Sequence, residues 1–190
     1  MDSARRITAA ISAVILLSSV SVLAVLPYAP KSKGLVGIRA GIIGRATIDY
    51  GAERNLQSMI DLSLGLFWEV PFTRHAYSGI WIDGHNIEAA GQQQFLLDVS
   101  LPVAYAYEFP RARMLLRPVI AFGLGHLANI TFMDATSYLT IKVLVQLHFL
   151  LPKQRAWIIE LGVFHAPVGG NSKLDVSIGP AVLLRLGYVL

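Results

Sequence analysis

The sequence predicts an all-β fold: a closed antiparallel up-and-down transmembrane β-barrel of about eight strands, preceded by an N-terminal signal helix. Three observations predict it. Four long segments alternate apolar residues with small or ionic ones at period two, which is the mark of strands with two unlike faces. Hydrophobic residues make up 54% of the chain, mean hydropathy is +0.55 and charged residues are only 15%, against about 25% in soluble domains. Finally, the one uninterrupted apolar stretch that approaches a bilayer span lies at the N-terminus, so a bundle of transmembrane helices is excluded.

The 190 residues suit one domain. The reading divides them into a signal peptide over 1–24, a linker over 25–34 and the barrel over 35–190. In the leader, Arg5 and Arg6 form a basic start, Ile11 to Val25 an apolar core, and Val22-Leu23-Ala24 a peptidase site, with cleavage expected after Ala24. An uncleaved anchor helix reaching about Tyr28 is the alternative. Ile7-Thr8-Ala9 follows the arginine pair, so ordinary export is expected rather than the twin-arginine route. There are no cysteines, which removes disulfides, thiol chemistry and a lipidated anchor.

Each strand is read from its alternation. Ile60, Leu62, Leu64, Leu66, Trp68 and Val70 share one face, opposed by Met59, Asp61, Ser63, Gly65, Phe67 and Glu69. Phe95 to Phe109 repeats the pattern with Asp98 and Glu108 on the other parity, Leu139 to Phe149 with Lys142, Gln146 and His148, and Val176 to Leu190 with Asp175 and Arg185. Weaker versions run from Leu35 to Ile48 with Arg39 and Arg45 inner, Met114 to Leu127 with Arg117 inner, and Arg155 to Ala166 with Glu160 inner; Tyr77 to Asn86 is the least clear. An eight-stranded lumen is barely wide enough for side chains. The small and ionic face is therefore assigned to the inside and the bulky face to lipid. A soluble lipocalin-type barrel, the alternative closed form, needs many Lys and Glu on its outer face, and neither face here has them.

Three turns share one pattern, a proline at a strand end followed by basic residues: Glu69 to Arg74, Glu108 to Arg113 and Leu150 to Arg155. Proline ends a ladder because it has no N–H to donate. These are read as short periplasmic turns. Asp49 to Gln57, Ile87 to Gln94, Ala128 to Thr136 and Pro167 to Lys173 are read as longer external loops. Trp68, Tyr105, Tyr107, Phe149, Trp157 and Tyr188 fall near the turns as an interfacial aromatic girdle.

On Gly37-Ile38-Arg39-Ala40-Gly41, Leu97 to Tyr105 with Arg117-Pro118 and Gly123-Leu124-Gly125, and the closing Leu186-Gly187-Tyr188, the chain resembles the small, porin-like outer-membrane β-barrel domain family. The resemblance covers Leu35 to Leu190. It implies the outer membrane of a Gram-negative bacterium, with outer-membrane lipids and the export and barrel-assembly machinery as partners. Members usually end in an aromatic residue, whereas this chain ends in Leu190 with Tyr188 two before it.

The candidate site is a lumen charge network of Arg39, Arg45, Asp61, Glu69, Asp98, Glu108, Arg117, Lys142, Glu160, Asp175 and Arg185. Mixed signs in a narrow space are expected to pair and plug it, because isolated buried charges cost several kcal/mol each. No catalytic residue, cofactor or metal is assigned; His75 and His85 lack partners at metal-ligand spacing, and His126 is read as facing outward near a strand end. The net charge of +4 and pI of about 9.5 come without a basic cluster interleaved with aromatics, so nucleic acid is not expected. A structural or lipid-interacting barrel is the first reading. Phe164-His165-Ala166-Pro167 and Gly169-Gly170-Asn171 partly resemble a lipid A deacylase, but Pro167 stands where that family has its serine and Gly179 where it has its acid. A small porin or an adhesion barrel completes the alternatives.

Overall fold

The computed structural model describes residues 34–50, 53–58, 60–89, 92–129, 136–170 and 175–190. The predicted signal peptide, its cleavage site and most of the linker lie outside the described residues. Among the described residues there are eleven strands: β1 Leu35–Ile43, β2 Thr47–Tyr50, β3 Glu53–Gln57, β4 Asp61–Pro71, β5 Ala76–Ala89, β6 Gln92–Tyr105, β7 Tyr107–Phe109, β8 Met114–Asn129, β9 Thr136–Leu150, β10 Ala156–Gly170 and β11 Asp175–Val189. Eight of them, β1, β4, β5, β6, β8, β9, β10 and β11, pair antiparallel in sequence order, and β1 pairs back onto β11 from Gly37↔Val189 to Ile43↔Leu183. The barrel is closed. The short β2, β3 and β7 extend or flank these staves.

Alternation places the side chains as the periodicity predicts along most of each strand. Leu64, Val103, Val145 and Leu184 are exposed, while Lys142, Leu144, Gln146 and His148 on β9 are buried in succession. The belt of exposed Leu, Ile, Val and aromatic residues runs round the whole barrel. Trp68, Tyr105, Tyr107, Phe149 and Trp157 are exposed near the turn end and Tyr188 is half-buried there. Two ring pairs form, Trp157 with Tyr188 at 4.9 Å between centroids and Tyr105 with Tyr107 at 4.8 Å.

Prolines terminate the strands at the turns as expected: Pro71 ends β4, and Pro110 and Pro152 each open a three-residue 3-10 turn. At the opposite end, two of the loops predicted from polarity, 49–57 and 87–94, are mostly strand. β2 and β3 run to within residues 51–52 of one another and β5 and β6 to within 90–91. The polar residues there belong to staves of up to 16 residues, longer than the 9–11 that a bilayer needs.

In one sector the sequence parity reverses. The ladder between β10 and β11 shifts register between Phe164 and Ala166 and again between Ala166 and Gly169, and the stave of β1 and β2 breaks over 44–46. An extra residue in a strand turns every later side chain to the other face. Ile48, Val176 and Ile178 therefore point inward and are buried, and Arg45 and Asp175 are exposed.

Candidate functional site

The interior of the barrel has two unlike regions. The turn-end and middle part holds four cations, Arg39, Arg117, Lys142 and Arg185, and four carboxylates, Glu69, Asp83, Asp98 and Glu160, all buried. Their formal charges cancel. Asp83 on β5 is the hub. Arg39 grips both its oxygens through Nη2 at 2.9 Å and donates from Nε at 3.1 Å, Arg185 Nη1 donates to Oδ1 at 2.9 Å, and Lys142 Nζ donates to Oδ2. Lys142 also donates to Asp98 and, at 3.1 Å, to Ser100 Oγ, while Thr140 donates to Asp98. Glu160 takes Arg39 Nη1 at 3.0 Å, Gln146 Nε2 at 2.7 Å and the Arg185 guanidinium.

A second cluster lies nearer the turns. Glu69 pairs with Arg117 and accepts the Trp81 indole N–H at 2.8 Å. Arg117 Nη1 donates to His148 Nε2 at 3.1 Å, which leaves that nitrogen no proton for Gln146 Oε1, 3.2 Å away, while Gln146 Nε2 donates to Glu160. Two cations also stack on aromatic faces: the Arg39 guanidinium carbon is 3.8 Å from the Trp81 ring centroid and that of Arg117 is 4.8 Å from Tyr77. Such stacking suits a guanidinium removed from water. Gly65 makes room for the hub, since a Cβ there would strike Asp83 Oδ1 and Arg39.

Towards the loop end the filling changes. Ile43, Ile48, Ile87, Leu96, Leu127 and Phe164 are among the fully buried side chains there, with Tyr138 seated over Gly125, where a Cβ would overlap its ring. The reversed parity of β2 and the first residues of β11 supplies Ile48, Val176 and Ile178 to this layer. The network of ion pairs expected along the whole barrel is thus confined to its turn-end and middle part, while Ser58, Gln94 and Thr136 are buried at the loop end. At the boundary, His85 is fully buried against the Phe164 ring, 5.2 Å between centroids, and neither ring nitrogen has a hydrogen-bond partner.

Seven of the eleven predicted network residues come together: Arg39, Glu69, Asp98, Arg117, Lys142, Glu160 and Arg185. Four do not. Arg45 and Asp175 are turned outward by the parity reversals, and Glu108 is exposed because β7 follows a break at Ala106. Asp61 is half-buried at a strand end, where it accepts from Asn86 Nδ2 at 3.1 Å. Sequence reasoning missed Asp83, Trp81 and the parts taken by Gln146, which donates to Glu160, and His148, which accepts from Arg117. The parity of Asp83 with His85 in the weak fifth segment was the available signal. Among the described residues no group of three or more His, Asp or Glu is placed to hold a metal ion. His165 Nδ1 lies 2.8 Å from the Ile178 carbonyl oxygen, so the hydrogen-bond partner found for this ring is backbone rather than the carboxylate that orients a catalytic histidine.

This geometry has solved counterparts. The chain has the fold of the small outer-membrane β-barrels. Neisserial surface protein A (NspA) superposes with a TM-score of 0.56 at 6% identity, covering 84% of this chain and 99% of that one. The outer-membrane protein OprG of Pseudomonas aeruginosa does so with a TM-score of 0.54 at 12% identity, covering 82% and 95%. No protein-family model and no curated protein matches the sequence. At these identities the likeness is one of fold, and the interior charges must be interpreted from their own geometry.

Proposed function

We propose that this chain is an outer-membrane barrel of a Gram-negative bacterium, with its short turns in the periplasm and a sealed lumen, serving a structural or lipid-facing role rather than conduction. One observation carries the reading: the eight interior charges pair with one another inside the barrel while a mainly aliphatic layer fills the loop end. Moving an ion along such an axis requires breaking buried pairs, each removal costing about 3–5 kcal/mol, and then crossing a layer filled mainly by aliphatic side chains. The exposed apolar belt supports insertion, because a face of that extent has no counterpart on soluble monomers and suits acyl chains.

Purified protein in planar lipid bilayers tests it. The expected result is no steady conductance above the bare membrane. Steady, long-lived channels in the wild-type protein overturn the sealed-lumen reading.

A further inference from the structure

The outer surface is not a uniform wall of bulky residues. Following one row of paired positions across four ladders, Leu186, Ala40, Leu64, Gly84 and Leu97 succeed one another. Large and small outward residues alternate, and the small ones open a groove of about 650 Å³ across β11, β1, β4, β5 and the start of β6. Ile38, Leu66 and Ile82 continue its wall, the Phe95 ring leans over Gly84 at the loop end, and the mutually tilted rings of Trp157 and Tyr188 close it towards the turns. Its lining is almost wholly apolar.

Exposed cations crowd one end of the barrel. Among the described residues the turn end exposes Arg74, Arg111, Arg113, Lys153 and Arg155 against a single exposed acid, Glu108. Arg155 lies two residues before Trp157 and is exposed like it, which puts a cation beside the mouth of the groove. We infer that this groove binds one anionic phospholipid, an acyl chain lying along the apolar channel and the phosphate meeting Arg155 at the level of Trp157 and Tyr188. Aromatic rings at headgroup depth and basic residues just beyond them are what such a ligand matches.

Two other occupants fit less well. An added β-strand finds no free edge, since β1 pairs with β11 and β4, and β4 with β5. A second copy lying parallel in the same membrane brings two basic turn ends together, which like-charge repulsion opposes.

The inference rests on the outer-membrane reading above, and the test separates the two. Full-length protein in detergent is titrated with phosphatidylglycerol or with phosphatidylcholine of the same acyl chains, and bound lipid is counted by native mass spectrometry. A heat-dependent shift in gel migration monitors the closed barrel in the same samples. Wild type is expected to retain one phosphatidylglycerol in preference by about fivefold, the effect of one interfacial cation. Arg155→Glu is expected to abolish the preference, and Ala40→Phe, which fills the channel, to lower retention of both lipids.

Equal retention of the two lipids by a barrel that still shifts with heat overturns the site alone. So does unchanged lipid binding in both variants, or a dimer that Ala40→Phe dissolves, which assigns the groove to a second copy. Absence of the heat shift in wild type overturns the barrel reading and the site with it.

Discussion

The two halves of the lumen solve one packing problem with opposite chemistry. Around Asp83, the narrow interior is filled by long cationic side chains whose charges are cancelled by carboxylates on facing strands. Above Phe164 it is filled by Ile, Leu and Val. The charged half is specific, because each guanidinium fork fixes the register of the strands it bridges, but it tolerates the loss of no partner. The apolar half is non-directional and loses only what a cavity costs. The difference teaches that a small barrel need not be polar throughout to be closed.

The largest effect is expected where the charged half is broken. Asp83→Ala leaves Arg39, Lys142 and Arg185 buried with one carboxylate fewer, and the expected destabilisation is about 3–5 kcal/mol, read as a lower urea midpoint for protein folded into lipid vesicles. A smaller effect sharpens the contrast between inside and outside. Leu183 is fully buried and its neighbour Leu184 is exposed. Leu183→Ala is expected to cost about 3 kcal/mol in the same assay. Leu184→Ala is expected to cost below about 1 kcal/mol, since a lipid tail replaces the lost contact. The smallest is Arg45→Ala, expected within about 0.5 kcal/mol of wild type, whereas Arg39→Ala approaches the Asp83→Ala value. A large loss at Arg45 contradicts its outward placement.

The staves were legible because lipid and lumen demand different residues at alternating positions, and β4, β6 and β9 obey that demand along nearly their whole length. What the sequence hid has two physical causes. In β5, the inward Trp81 and the outward Gly84 invert the expected sizes, so Asp83 went unassigned; Trp81 is accommodated because Glu69 takes its N–H and Arg39 stacks on its face. In the sector of β10, β11 and β2, register shifts reverse the parity without changing composition. Asp175 and Arg45 thereby left the lumen, and Val176 and Ile178 entered it. A period-two reading carries no marker for one inserted residue. The pairing of Arg39 with Asp83, 44 positions apart in sequence, is likewise set by the tilt and stagger of the closed ladder rather than by any local pattern.

The central claim is that bulky apolar positions face lipid while the charged positions are sealed inside, and the cysteine-free sequence makes it directly measurable. Single cysteines placed at consecutive positions from 142 to 147 on β9, spin-labelled in reconstituted vesicles, report collision with lipid-soluble oxygen and with a water-soluble nickel complex. The expected pattern is period two: high oxygen access at 143, 145 and 147, and little access to either reagent at 142, 144 and 146. Nickel access at the even positions, or loss of the alternation, contradicts the account.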